Sequence, residues 1–220
     1  MRKISPEERI TMRQTYIQKI LNTIRTQGFM SLTIQDIAQL MNISRATLYN
    51  YFSSKEDVMM EVTNYCISYI HKADKTISDE SLSYPYRLQK VFEQAVFSAI
   101  YASDIFLHDL QTSCTLLYEK KMKFETNRMA TIRSFYQKGM DKGIFNTLNP
   151  AILIMQDEVS IRKMLTSSFL IEEGLTLRQA LSDYYEAKKV QVLKSEALED
   201  ADNEKIHLVI ENIVNNITTI

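Results

Sequence analysis

The residues best suited to chemistry lie between Thr33 and Lys55, in the run TIQDIAQLMNISRATLYNYFSSK. On a helix opening at Arg45, with about 100° per residue, Leu48 and Phe52 share one face. Ala46, Tyr49 and Asn50 share the opposite face, with Arg45, Thr47 and Tyr51 on the flanks. A small residue lets such a helix approach a surface closely. Guanidinium, phenol and amide tips can hydrogen-bond to base edges and phosphates, and the major groove of DNA admits a helix. Lys55 opens the next helical segment, where the positive end of the helix dipole disfavours a cation. A cation is useful there if a phosphate binds at the same helix end. The competing reading is an ordinary helical hairpin with its tyrosines packed on a neighbour and a solvated lysine.

Two short helices must position this face. Thr33 is a suitable N-cap, with Asp36 three residues on as a weaker capping box. Ile34, Ile37, Ala38 and Met41 then recur at helical spacing. Asn42-Ile43-Ser44 breaks the pattern. Asparagine tolerates the left-handed conformation that a tight turn needs. Ile43 can tuck between the helices, and Ser44 caps the next one. The result is a helix-turn-helix in which Arg45, Ala46, Tyr49 and Asn50, with Gln35 from the preceding helix, face base edges. Ser54 and Asp57 supply cap and box for a further helix.

Gly28-Phe29, Leu32 to Ala38, Ile43-Ser44, Thr47 to Phe52 and Ser54-Lys55-Glu56 stand at spacings that resemble the DNA-binding domain of the TetR family of bacterial transcriptional regulators. The resemblance covers roughly residues 8 to 60. Asn42 stands where the family commonly has glycine, and Val58 where it has leucine. The resemblance implies that Thr33, Thr47, Tyr51 and Lys55 hold DNA phosphates. It also implies a dimer on double-stranded operator DNA and a small-molecule effector bound in a helical body. No cofactor is expected.

The chain has 220 residues, 45% hydrophobic, with four glycines and three prolines. That composition, with no sustained period-two alternation, favours an all-α protein. Through Lys55 there are eight basic residues (Arg2, Lys3, Arg9, Arg13, Lys19, Arg25, Arg45, Lys55) against three acidic ones (Glu7, Glu8, Asp36). That surplus of five, within a net charge of −1, leaves −6 for the remainder. A basic head on an acidic body fits nucleic-acid binding by the head. Cys66 and Cys114 are isolated and read as small core residues. No run is long and apolar enough to span a membrane and no signal peptide is visible, so a cytoplasmic protein is expected. His71, His108 and His207 lie in no metal-ligand spacing, and no phosphate loop or nucleophile elbow is present, so neither an enzyme nor a metal site is expected.

The expected organisation is a helix-turn-helix domain over residues 1–54 and a helical ligand-binding and dimerisation domain over 55–220, with 55–77 as connecting helix. In the first helix, Ser5 caps, Pro6 leads, Gly28 ends, and Ile10, Ile17, Ile20, Leu21 and Ile24 form the buried stripe. Later helices are expected over about 85–100, 105–117, 118–142, 149–172 and 176–198. An acidic loop at 199–204 and a last helix striped with Ile206, Val209, Ile210, Ile213, Val214 and Ile217 follow. The last stripe, with Ile152 and Val159, is expected to form the subunit contact; burial within the chain is the alternative. Phe92, Phe97, Tyr101, Phe106 and Phe135 are candidates to line a pocket for an apolar ligand, although such residues more often form core. The expected function is a ligand-responsive dimeric regulator, a repressor on a palindromic operator. The rival is a helical protein-interaction module without ligand response.

Overall fold

The structure, a computed structural model, describes residues 5–198 and 203–218. It is all-α, as the composition predicts. The helices are α1 (Pro6–Gln27), α2 (Ile34–Leu40), α3 (Arg45–Tyr51), α4 (Lys55–Ser78), α5 (Tyr84–Tyr101) and α6 (Asp104–Ser113). They continue with α7 (Thr115–Asp141), α8 (Pro150–Met164), α9 (Ser167–Glu173), α10 (Leu177–Val192), α11 (Ser195–Leu198) and α12 (Asn203–Thr218). Among the described residues the β-type pairing is a single bridge, Phe145 with Leu193. Among the described residues no helix is long and apolar enough to cross a membrane. The chain forms two compact units. Among the described residues, the first holds 5–69 and 101–123, and the second holds 70–100 and 124–218.

In the first unit, α1 starts as its sequence dictates. Ser5 accepts from the Glu8 N–H, and the Glu8 carboxylate accepts from the Ser5 N–H, so two orphan donors are satisfied reciprocally. Tyr16, Ile17, Ile20, Leu21 and Ile24 are buried, but Ile10 is exposed, because the packed face begins only near Met12. The core continues through Phe29, Leu32, Ile37, Ala38, Met41, Leu48 and Phe52 to Val58, Val62 and Cys66 of α4. Burial pushes the Cys66 thiol up to about 12, which makes it an inert core residue. Phe106 and Leu110 of α6 complete this core. Each such side chain contributes roughly 1.5–3 kcal/mol on burial.

The second unit packs Ile77, Tyr84, Leu88, Val91, Ile132, Phe135, Tyr136, Phe145, Leu153, Ile154, Val192 and Leu193. Tyr84, Phe135 and Phe145 form its aromatic centre, with ring centroids 5.2–5.7 Å apart. The Phe145 ring lies where a Cβ on Gly139 would stand, so this glycine is a packing residue inside α7 and not a helix stop. Two long expected helices are broken. Thr166, with extended backbone, separates α8 from α9, and Leu193 ends α10 by pairing with Phe145. Asn146 fixes that second break, donating its side-chain N–H to the carbonyls of Gln191 and Leu193. The expected acidic loop at 199–204 falls mostly on 199–202, outside the described residues.

The last helix requires a correction. Ile206, Ile210 and Ile213 are 1%, 1% and 0% exposed within the single chain. α12 packs on α10, with an Arg178–Glu211 ion pair beside the contact, so these three side chains are buried within their own chain, the alternative named above, while Val209 and Val214 are half-buried. The Ile217 side chain lies outside the described residues. Ile152 and Val159 of α8 remain 48% and 63% exposed.

Candidate nucleic-acid interface

The turn between α2 and α3 forms as its residues predict. Thr33 caps α2 by accepting from the Asp36 N–H, and the Asp36 carboxylate accepts from the Thr33 N–H at 2.8 Å and its hydroxyl at 2.6 Å. These hydrogen bonds hold the Asp36 carboxyl below the usual carboxylate range. Asn42 takes φ +59°, in the left-handed region that asparagine tolerates. Ile43 packs against the core, its N–H donating to the Ala38 carbonyl at 2.9 Å. Ser44 caps α3, accepting from the Thr47 N–H at 3.0 Å. A cation serves the far end of α2: Lys19 donates to the Met41 carbonyl at 3.1 Å, where helix carbonyls lack partners.

With Leu48 and Phe52 fully buried, the opposite face of α3 is presented to solvent. Arg45, Ala46, Tyr49 and Asn50 are all exposed, Tyr49 by 54%. Gln35 on α2 is exposed as well, and α2 and α3 pack together. The five residues expected at base edges therefore lie on the outer surface of one helix pair. Of the four expected phosphate ligands, Thr33 is exposed and Thr47 is half-buried, its hydroxyl 2.9 Å from that of Ser44. Lys55 is half-buried in the first turn of α4. Its ammonium donates to the Met30 carbonyl at 3.1 Å and lies 5.2 Å from the centre of the Phe29 ring.

Tyr51 departs from expectation. Its ring is buried and meets Tyr16 edge-on at 5.1 Å. It is a core wedge setting the tilt of α3 against α1, because its flank of the helix faces α1 and not solvent.

Two features that hold this face are hard to see in sequence. Arg13 of α1 donates to the Tyr51 carbonyl at 2.6 Å and pairs with Asp57 and Glu61 of α4, each at 2.7 Å. Its guanidinium also stacks 4.6 Å from the centre of the Phe52 ring. One side chain thus joins α1, the end of α3 and the start of α4. Burial alone would raise the Asp57 carboxyl, but Arg13 and the Ser53 N–H hold it below its ordinary value. The spacing of Asp57 and Glu61, one helical turn apart on α4, is the signal that a cation faces them.

The second feature is Asp109 of α6. Its buried carboxylate accepts from the N–H groups of Phe29 and Met30 at 2.6 and 3.0 Å, fixing the turn between α1 and α2. Gly28 makes the approach possible. It has φ +80°, and a Cβ there would stand 2.7 Å from Ile105 Cγ2 and 2.8 Å from Asp109 Oδ2.

The residues expected to line one apolar pocket are not gathered. Phe106 is in the core of the first unit, and Tyr101 lies at that core's edge against Tyr65 and Tyr69, each at 6.3 Å. In the second unit, Phe92 packs on Tyr185 at 5.2 Å, Phe135 belongs to the aromatic centre, and Phe97 is buried. Helical spacing sent these rings to two cores. The buried part of the second unit also carries charge. Lys188 pairs with Asp157 at 2.8 Å, Tyr184 donates to the same carboxylate oxygen at 2.8 Å, and Gln94 donates to Asp74 at 2.6 Å.

Residues 17–62 match the family described as bacterial regulatory proteins, tetR family. No curated protein matches by sequence. Among solved structures, the chain is similar to the ketosteroid transcriptional regulator KstR2 of Mycobacterium tuberculosis, at 18% identity and a TM-score of 0.62, covering 83% of this chain and 95% of that one. A putative transcriptional regulator from Saccharomonospora viridis, in complex with choline, also scores 0.62 at 14% identity, with 84% and 99% covered. The regulator AibR, in complex with isovaleryl coenzyme A and operator DNA, scores 0.56 at 14% identity, with 79% and 95% covered. At these identities the likeness establishes the shared fold. Over residues 17–62, the helix-turn-helix segment, the chain therefore matches the tetR family of bacterial regulatory proteins, and the helical architecture around that segment is the fold of the solved regulators.

Proposed function

We propose that the chain is a repressor that binds a palindromic operator as a dimer and is released by a small molecule. The observation that carries the reading is the outer face of α3, where Arg45, Ala46, Tyr49 and Asn50 stand exposed over a fully buried Leu48 and Phe52. Arg45 suits guanine O6 and N7, Asn50 suits adenine N6 and N7, and Ala46 permits close approach. Thr33, Thr47 and Lys55 supply the phosphate contacts beside them. AibR's operator complex supports the same use of the fold.

Dimerisation falls to α8 in this reading, where Ile152, Met155 and Val159 form an exposed apolar stripe on one face. A two-fold dimer presents two α3 helices to half-sites one helical turn apart, about 34–36 Å, or a multiple of it. The effector binds in the second unit. The solved relatives hold ligands as different as choline and isovaleryl coenzyme A, so they do not specify its chemistry. The coupling follows the chain: α4 and α7 run from one unit into the other, and α6 holds the α1–α2 turn through Asp109. An effector acts only through different affinities for the DNA-competent and released states, typically worth about 1–3 kcal/mol, and operator DNA must weaken the effector by the same factor.

The test is selection of bound fragments from the source genome, followed by affinity measured against salt. The reading expects an enriched inverted repeat and an affinity falling steeply with salt, the mark of counterion release. Failure to enrich any sequence, with affinity indifferent to salt, would leave a protein-interaction module as the better reading.

A further inference from the structure

In the second unit, the end of α4, the start of α5 and the second half of α7 enclose a half-open groove. Its volume is about 320 Å³, within the range of small-ligand sites. It is lined by Ile77, Ser78, Arg87, Thr131, Ser134 and Phe135, with Ala130 and Lys138 completing the wall. Arg87 is 1% exposed. Its Nε donates to the Ile77 carbonyl at 2.7 Å, and its guanidinium lies over the rings of Tyr84 and Phe135 at 4.6 and 5.1 Å. The guanidinium is therefore held against Phe135 of the groove wall and against Tyr84, which lies outside the lining. Its Nη1 is buried with no hydrogen-bond partner. A buried cation lacking a paired anion is costly to maintain, and planar guanidinium edges match carboxylates in geometry.

The surrounding charge sets the valence of the missing partner. Lys138 and Lys142 share one carboxylate, Glu80, at 2.6 and 3.9 Å. Asp79 accepts from the N–H and hydroxyl of Ser81, at 3.0 and 2.6 Å. Of the two cations that line the groove, Lys138 is thus paired with Glu80, which leaves the single charge of Arg87, and that suits a monoanion better than a phosphate dianion. Ile77, Ala130 and Phe135 give the groove an apolar side, while Ser78, Thr131 and Ser134 add hydroxyls.

We propose that this groove binds a small organic monocarboxylate, its carboxylate on Arg87 Nη1 and its apolar part against Ile77 and Phe135. Its use as the effector site rests on the regulatory reading above; the binding itself does not.

The experiment is calorimetric titration of the full chain with benzoate and hexanoate as probe carboxylates, with benzamide as the neutral isostere and with inorganic phosphate. Saturable binding of at least one carboxylate is expected, with benzamide and phosphate weaker. Arg87→Gln should weaken the carboxylate by about tenfold or more, the worth of a hydrogen bond to a charged group. Because Arg87 also braces two rings, a second variant guards against misfolding. Ser134→Trp, at an exposed position on the wall, should fill the groove and abolish binding while leaving the circular dichroism spectrum and the unliganded Tm unchanged. The proposal is overturned if neither carboxylate saturates, if benzamide or phosphate binds as well, or if Ser134→Trp binds like the parent. Operator binding is measured on the same samples. Carboxylate binding without DNA binding removes the regulatory reading alone, and DNA binding without carboxylate binding removes the groove alone.

Discussion

Arg45 has no protein partner among the described residues and stands exposed in the first turn of α3, which leaves its whole fork for a ligand. Arg45→Ala should relax preference at one position of each half-site, losing roughly 1–3 kcal/mol of discrimination, and a binding selection on randomised sites reads this directly. Lys55 should behave differently. Its ammonium keeps one donor on the Met30 carbonyl and has two more for a phosphate. Lys55→Ala should weaken all sequences alike and reduce the salt slope by about one unit. The outward face was legible in the sequence because buried Leu48 and Phe52 fix the phase of the helix. Tyr51 was not, because its surroundings depend on Tyr16, far away in the chain. Arg13 was equally hidden: its partners lie 38 to 48 residues distant, beyond any local pattern.

At the level of elements, the α1–α2 turn is held from outside itself. Gly28 sits in a region of backbone space that is essentially glycine's alone, where another residue costs on the order of 1–3 kcal/mol. Gly28→Ala adds contact with Ile105 and Asp109, so it should lower stability in urea unfolding by at least that amount and displace α6 from the turn. The join between α1 and α4 is sensitive to acid. Asp57 is held below its ordinary range, so the folded protein binds this proton less readily than the unfolded chain. The stabilisation is complete above the usual aspartate value, about 4, and is lost as pH falls through the lower folded value. Asp57→Asn should therefore cost about 1.5–3 kcal/mol at pH 7 and flatten the loss of stability below pH 4, measured by urea unfolding across that range. Helix starts were legible from caps such as Ser5, Thr33 and Ser44, which act within one turn. The breaks at Thr166 and Leu193 were less so. Leu193 ends its helix because Asn146 and Phe145 pair with it, and neither is near it in sequence.

Across the whole molecule, an apolar stripe shows that a helix is covered without showing by what. The stripe of α12 is covered by its own chain, whereas the shorter stripe of α8 is left open. Met155→Asp with Val159→Asp should therefore give folded monomers by analytical ultracentrifugation, with native helicity. Ile210→Asp with Ile213→Asp should instead unfold the α10–α12 packing, since two carboxylates would be buried unpaired. A native-like dimer carrying the α8 pair would move the subunit contact off α8. The composition of the first unit bears on how such proteins can be recombined. Its core takes Phe106, Leu110 and the start of α7 from a stretch that follows the whole of α5. A graft of residues 5–54 onto a foreign regulator would arrive without Val58, Val62, Phe106, Leu110 and the carboxylate that seals the α1–α2 turn. If the outer face of α3 reads the operator as proposed, a new operator choice is thus better written by exchanging its four outer side chains than by cutting and pasting a segment.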